Sequence, residues 1–257
     1  MATERLILIT SNDKNVSESS SNSDFVIYLK ETYNTQNIIR VLVKDISVPN
    51  VFYNIRDGTN GSQNNEFVFL ETGEVDEFII LPQGQYTTAT LMSALQTAMN
   101  TVLVSGTVAI TQDPLTQKIV FTFTGTTAII YNVEDESLLS GPLGITTTTP
   151  APSAVITADA LPSLNGIEVV YIHSKEIALN RSIDGGFGLI SAFEDVSFNN
   201  VPFGAYAYRQ NNDDELAQFT YDQPANLSRI TIVLRDDKGN VLDIGTQNMT
   251  IVLKAFY

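Results

Sequence analysis

The chain of 257 residues has no cysteine, no tryptophan and a single histidine, His173. Without cysteine there can be no disulfide, thiol nucleophile or zinc–thiolate site, and the composition suits a reducing cytoplasm. Any Ser-His-Asp triad would have to use His173, and no Gly-x-Ser-x-Gly elbow is present to display a serine. The position of His173 at the tail of an apolar run reads as a surface or capped strand-end residue. Cations are also scarce, with 14 Lys and Arg against 29 Asp and Glu, a net charge of −15. Nucleic-acid binding normally needs a clustered basic patch. The nearest approach to one is the isolated pair Arg40 and Lys44, so direct nucleic-acid binding is not expected. No run of about 18 apolar residues occurs, so no membrane span is expected. The segment Met1–Leu6 lacks a basic stretch followed by an apolar one, which gives no expectation of a secretory signal.

What is present is strand. Apolar residues make up 43% of the chain, enough to bury a real core. Leu6–Ile9 and Phe25–Leu29 are short apolar runs of strand length. Between them, residues Ser11–Asp24 are almost wholly polar and include the run Ser17–Ser23. That composition reads as a flexible surface loop, or as an arm that orders against a neighbouring subunit. Ile39, Val41 and Val43 alternate with Arg40, Leu42 and Lys44, the period-2 pattern of a half-buried strand, and Pro49-Asn50 breaks it. The Gly/Asn/Ser-rich loop Arg56–Asn65 marks a candidate boundary.

Beyond that loop lies a unit of different character. Phe67–Leu70 and Phe78–Leu81 bracket an acidic turn and read as a hairpin. Thr87 or Thr88 is placed to cap the one convincing helix, in which Leu91, Met92, Leu95 and Met99 form an apolar stripe that Asn100 ends. Val108–Ile110, the turn Asp113-Pro114 and the alternating Ile119/Phe121/Phe123 give a second hairpin. Leu138–Ile145 closes the unit, and Thr146–Pro152 reads as a linker. Strands then resume at Ile167–Ile172, Leu189–Phe198, Ala205–Tyr208 and Leu216–Tyr221. A last hairpin is expected from Ile230/Ile232/Leu234, the turn Asp236–Asn240 and Met249/Ile251/Leu253/Ala255, with Gly239 suited to positive φ.

Outside the central unit about eight strands are expected, near 25–29, 38–48, 167–172, 189–194, 195–198 with 205–208, 216–221, 229–235 and 249–256. Eight antiparallel strands fit a single jelly roll of two sheets. The fold class is thus all-β: a jelly roll over 1–63 and 161–257, with a β-rich subdomain of 64–160 carrying one short helix, inserted between the second and third of those strands.

Chemistry is sparse. Gly185-Gly186-Phe187-Gly188 is not a dinucleotide fingerprint, because Ser191 stands at the last glycine position and no helix follows. Asp213-Asp214-Glu215 and Asp236-Asp237 lack the spacing of an EF-hand loop and read as solvated turns. Five Asn-x-Ser/Thr sequons, beginning at Asn15, Asn60, Asn180, Asn226 and Asn248, are about what chance gives in so Asn-, Ser- and Thr-rich a chain. No catalytic, cofactor-binding or metal-ligating residue is singled out, and no cofactor is expected.

Four stretches resemble the penton-type minor capsid proteins of virophages and polinton-like double-stranded DNA viruses. They are Val43–Ile55, the turn and helix of Leu81–Asn100, Leu138–Ile145, and Arg229–Tyr257 with its Asp-Asp-x-Gly-x-x-Leu-Asp core; in order and spacing they run over most of the chain. The resemblance implies a non-enzymatic vertex subunit of an icosahedral virion, acting as a homopentamer in contact with a major capsid protein and assembled in the host cytoplasm. In such a particle so acidic a chain would face outward or meet basic protein neighbours. The alternative is a receptor- or carbohydrate-binding fibre or head protein. A fibre knob usually follows a repetitive shaft, which is not visible here, and the lack of tryptophan weakens the case for an aromatic sugar platform. A glycosidase on the same fold is the enzyme alternative.

Overall fold

The structure is a computed structural model that describes residues 4–29, 37–59, 61–132, 137–177, 192–211 and 218–257. The chain divides into two compact units, Met1–Phe52 with Ile167–Tyr257, and Tyr53–Gly166. Among the described residues the strands in chain order are β1 (Glu4–Thr10), β2 (Asp24–Tyr28), β3 (Ile38–Pro49), β4 (Glu66–Glu71), β5 (Asp76–Ile80), β6 (Thr107–Gln112), β7 (Ile119–Thr124), β8 (Ala128–Ile130), β9 (Val155–Thr157), β10 (Val169–His173), β11 (Ala192–Ser197), β12 (Tyr206–Gln210), β13 (Gln218–Ala225), β14 (Arg229–Arg235) and β15 (Thr250–Phe256). Helix α1 (Thr88–Val102) follows β5, and the single turn α2 (Ser140–Leu143) follows β8.

The first unit is a jelly roll. One sheet runs β1-β15-β3, with β12 and β13 pairing successive parts of the far side of β3. The other runs β11-β10-β14-β2. Every pairing is antiparallel; the chain crosses between the sheets at most steps, staying within one sheet only from β10 to β11 and from β12 to β13, the order of a jelly roll. The alternation of apolar residues places one face of each sheet inward. Ile7, Ile9, Val41, Val43, Ile251 and Leu253 from the first sheet meet Phe25, Ile27, Val170, Ile172, Ile230 and Ile232 from the second in one buried cluster.

The expected strand set changes in three places. β1 is a full member and pairs with β15 from Glu4↔Phe256 to Thr10↔Thr250, so the second unit leaves the jelly roll after its third strand, not its second. The expected final hairpin does not form. β14 pairs with β2 and β10, whereas β15 pairs with β1 and β3. Both strands bury one apolar face, and a single sequence does not show that they bury it from opposite sides of the same core. The turn itself is as read: Asp236 Oδ1 accepts from Lys238 and Asn240 N–H at 3.0 and 2.8 Å, and Gly239 sits at φ +85°. It folds back only as far as Leu242, whose N–H donates to Leu234 at 3.0 Å. Finally, β11 is one strand where two segments were expected. The 189–191 part of that expectation, the 216–217 part of the next and the glycines at 185–188 lie outside the described residues.

The second unit holds two three-stranded sheets, β5-β4-β8 and β6-β7-β9, with α1. Both hairpins form as expected, β4 with β5 and β6 with β7. Phe67, Phe69, Leu91, Leu95, Met99, Ile119 and Phe121 share its core, and the rings of Phe67 and Phe121 stack at 6.0 Å. Thr87 caps α1 in a reciprocal box with Thr90: each side-chain oxygen accepts from the other's N–H, at 3.2 and 2.9 Å. The helix passes Asn100 and ends at Val102, with the Asn100 side chain bonded to the backbone of Val108. Residues 146–152, read as a linker, are tied into the unit. Thr146 and Thr147 N–H donate to Asp159 at 3.1 and 3.0 Å, and Thr149 N–H donates to the Ile130 carbonyl at 3.0 Å.

Candidate assembly surfaces

Among the described residues His173 belongs to no group of three or more His, Asp and Glu side chains that could hold a metal ion. His173 is buried in β10, not at a surface. No group of three or more His, Asp or Glu side chains is placed to hold a metal ion among them, and Asp213–Glu215 lie outside them. Arg40, half of the closest approach to a basic patch, lies over the Phe256 ring at 3.9 Å, a cation–π contact within the sheet. Among the described residues no helix is long and apolar enough to cross a membrane.

At the strand edges, unpaired N–H and C=O groups invite another chain unless they are covered. At β2 the edge is covered by the serine-rich segment. The Val26 N–H donates to Ser19 Oγ at 3.0 Å, and the Val26 carbonyl accepts from Asn15 N–H at 2.7 Å. The Asp24 carbonyl accepts from Ser20 and Ser21 N–H at 3.0 and 3.1 Å, and the Asp24 N–H donates to Ser21 Oγ at 3.0 Å. Glu18 extends the cover, accepting from the Tyr28 hydroxyl at 2.8 Å and pairing with Arg229 at 3.6 Å. The segment read as a flexible loop or a neighbour-seeking arm is therefore ordered on its own chain. Its short polar side chains bond locally to backbone, which composition alone does not reveal.

The β6 edge is covered in the same way by α1. Asn100 accepts from Val108 N–H at 2.7 Å and donates to the Val108 carbonyl at 2.9 Å, while Gln96 accepts from Ile110 N–H at 2.8 Å. Between β11 and β12, on different sheets, Arg209 bridges Glu194 at 3.0 Å and Asp195 at 2.9 Å. Glu194 is buried, and desolvation pushes its carboxyl above the usual range against the opposing pull of Arg209 and Asn211.

The outer edges of β1 and β5 carry no such cover among the described residues. No strand pairs the outer side of β1 or of β5 among the described residues. On β1, Ile7 and Ile9 enter the core, leaving Leu6 and Leu8 about half exposed on the opposite face. On β5, Ile79 is buried while Phe78 and Ile80 are 60% and 66% exposed. Scattered exposed apolar residues are ordinary; here they come in pairs on strands at a sheet edge.

Neither a family model nor a curated protein matches the sequence. The structure does match a solved one, the penton protein of mavirus, with a TM-score of 0.51 over 99% of both chains at 9% sequence identity. At that identity the likeness is one of fold, and it takes in both units, since the aligned region spans nearly the whole chain.

Proposed function

We propose that the protein is a structural capsid subunit that occupies the vertices of an icosahedral double-stranded DNA virus as a homopentamer and acts without catalysis. The observation that carries the reading is the whole-chain likeness in fold to the mavirus penton protein, with a jelly roll and a second β-rich unit together. The open, apolar-faced edges of β1 and β5 support it, since a subunit that closes a ring and seats in a shell needs surfaces that stay uncovered in the monomer. The acidic surface suits contact with protein neighbours over contact with a genome. In this reading the partners are further copies of the chain and a major capsid protein, in a virion assembled in the host cytoplasm. Residues 53–166 form an inserted domain with a core of its own. The test is native mass measurement of the purified chain, followed by co-expression with the cognate major capsid protein and imaging of the particles. The expected result is a fivefold assembly seated at the vertices. Closed particles whose vertices lack this chain, or a hydrolase activity that survives exhaustive purification, would defeat the reading.

A further inference from the structure

A cleft of about 590 Å³ opens on the jelly roll between the serine-rich segment and the loop that leads from β14 to β15. That volume lies within the range of about 300–1,000 Å³ usual for small-molecule sites. Its two walls are tied together. The Asn22 side-chain amide donates to the Gly245 and Gln247 carbonyls at 3.1 and 2.9 Å, and Ser11 Oγ bonds Asn248 Oδ1 at 3.2 Å while accepting from Met249 N–H at 3.1 Å. The cleft is thus shaped before any ligand arrives.

Its lining is unlike the rest of this acidic surface. Lys14 hydrogen-bonds the Asn22 side-chain oxygen and, among the described residues, forms no ion pair. The Asn12 side chain and the Thr246 hydroxyl make no hydrogen bond among the described residues, so both are available to a ligand, as is the amide nitrogen of Asn248. Val16, 81% exposed, supplies an apolar patch at the rim. Asp243 turns Oδ1 toward the Gly245 N–H at 2.8 Å. One cation, one carboxylate whose Oδ1 is taken by the Gly245 N–H, several neutral donors and acceptors and a small apolar patch make up the lining, a set that matches a hydroxylated ring with a single negative group. A net charge of −15 disfavours a polyanion, and with no aromatic side chain in the lining, recognition rests on hydrogen bonds and one charge instead of ring stacking.

We propose that this cleft binds a saccharide ring bearing one carboxylate, with Lys14 meeting the carboxylate and Asn12, Thr246 and Asn248 the hydroxyls. The proposal is independent of how the chain assembles. Both sialic and uronic acids present this chemistry. The test therefore uses the methyl glycosides of N-acetylneuraminic acid and glucuronic acid as separate probes, with methyl galactoside as the neutral comparison and inorganic phosphate as the plain anion. Binding to the full chain is read by chemical-shift titration. At least one acidic glycoside is expected to bind about tenfold more tightly than the galactoside, about 1.4 kcal/mol, because its carboxylate meets the Lys14 ammonium. Lys14→Gln is expected to remove that advantage, and Thr246→Val to weaken the sugars while leaving phosphate unaffected. Both substitutions lie outside the core, and unchanged thermal unfolding checks that each variant is folded. Lack of binding by both acidic glycosides overturns the proposal, as does binding undiminished in both variants. Phosphate binding as tightly as the sugars and displacing them overturns it too, by making the cleft a simple anion site.

Discussion

Glu71, at the end of β4, lies 1% exposed with its carboxylate turned onto the backbone of a neighbouring loop. It accepts from the N–H groups of Val104 and Ser105 at 2.7 and 3.0 Å. Burial alone pushes its pKa up, but the bonds from Val104, Thr126 and Ser105 together outweigh that and hold it below the ordinary carboxylate value. The unfolded chain therefore binds the proton at a higher pH than the folded one. The stabilisation from Glu71 is complete above the unfolded pKa and is lost as pH falls through the lower folded value. Glu71→Gln, which leaves two N–H groups short of an ionised acceptor, is expected to cost about 1–3 kcal/mol at pH 7. The gap from the parent should narrow in urea unfolding carried out near pH 3. A gap that stays constant with pH would mean that the carboxylate charge is not what holds the loop. Read in sequence, Glu71 belongs to an acidic turn. Yet it shares the inward face with Phe67 and Phe69 at period 2, and that register was the available signal.

At the scale of elements, α1 and the serine-rich segment do the same job with different chemistry. The helix was legible because its stripe repeats at helical spacing: Leu91, Leu95 and Met99 are fully buried as that spacing requires. Leu95→Ala should cost about 2–5 kcal/mol in equilibrium unfolding, and a loss well under that would show the stripe to be less tightly packed than it is here. The edge-covering role of Gln96 and Asn100 was not legible, since their partners on β6 are set by the packing of helix against sheet. Nor was the role of residues 15–21, whose partners lie on β2. The joining of β14 and β15 was misread for a related reason. Alternation in a strand reports which residues face a core, but not which of two sheets presents them. Replacing 15–21 by a Gly-Ser linker should bare the β2 edge, lower the thermal midpoint and promote association into large, polydisperse species measurable by light scattering. Ser19→Ala should do so more weakly, because it removes only the acceptor for the Val26 N–H. Unchanged stability and a monodisperse monomer in the linker variant would show that the segment is ornamental.

At the scale of the whole molecule, charge opposes the proposed assembly. Five copies at −15 would bring about −75 into one ring, and exposed like charges repel until ions screen them over about 8 Å at physiological strength. Sedimentation across a salt series is expected to show a monomer or weak association in low salt and more complete rings as ionic strength rises. Weakening with salt would show instead that opposite charges hold the interface. The two-unit organisation gives a further expectation: residues 53–166, expressed alone, should unfold cooperatively, because their core draws on Ile55, Phe67, Leu95 and Phe121 within the unit. A molten or insoluble fragment would make that core dependent on the rest of the chain.

The pairing of β1 with β15 also sets a timetable for synthesis. Thr10 and its partner Thr250 are 240 residues apart, so at roughly 5–20 residues per second β1 waits about 12–48 s on the ribosome for its neighbour. During that time Ile7 and Ile9 have no completed sheet to enter, and Leu6 and Leu8 add to the exposed apolar stretch. The hairpins of the second unit pair residues at most 14 and 17 positions apart, Glu66 with Ile80 and Thr107 with Thr124, and do not share this delay. The early-emerging strand is thus exposed to miscapture for longer than the hairpins of the second unit, and a chaperone that holds short apolar segments should raise the yield of folded protein by acting on residues 4–10.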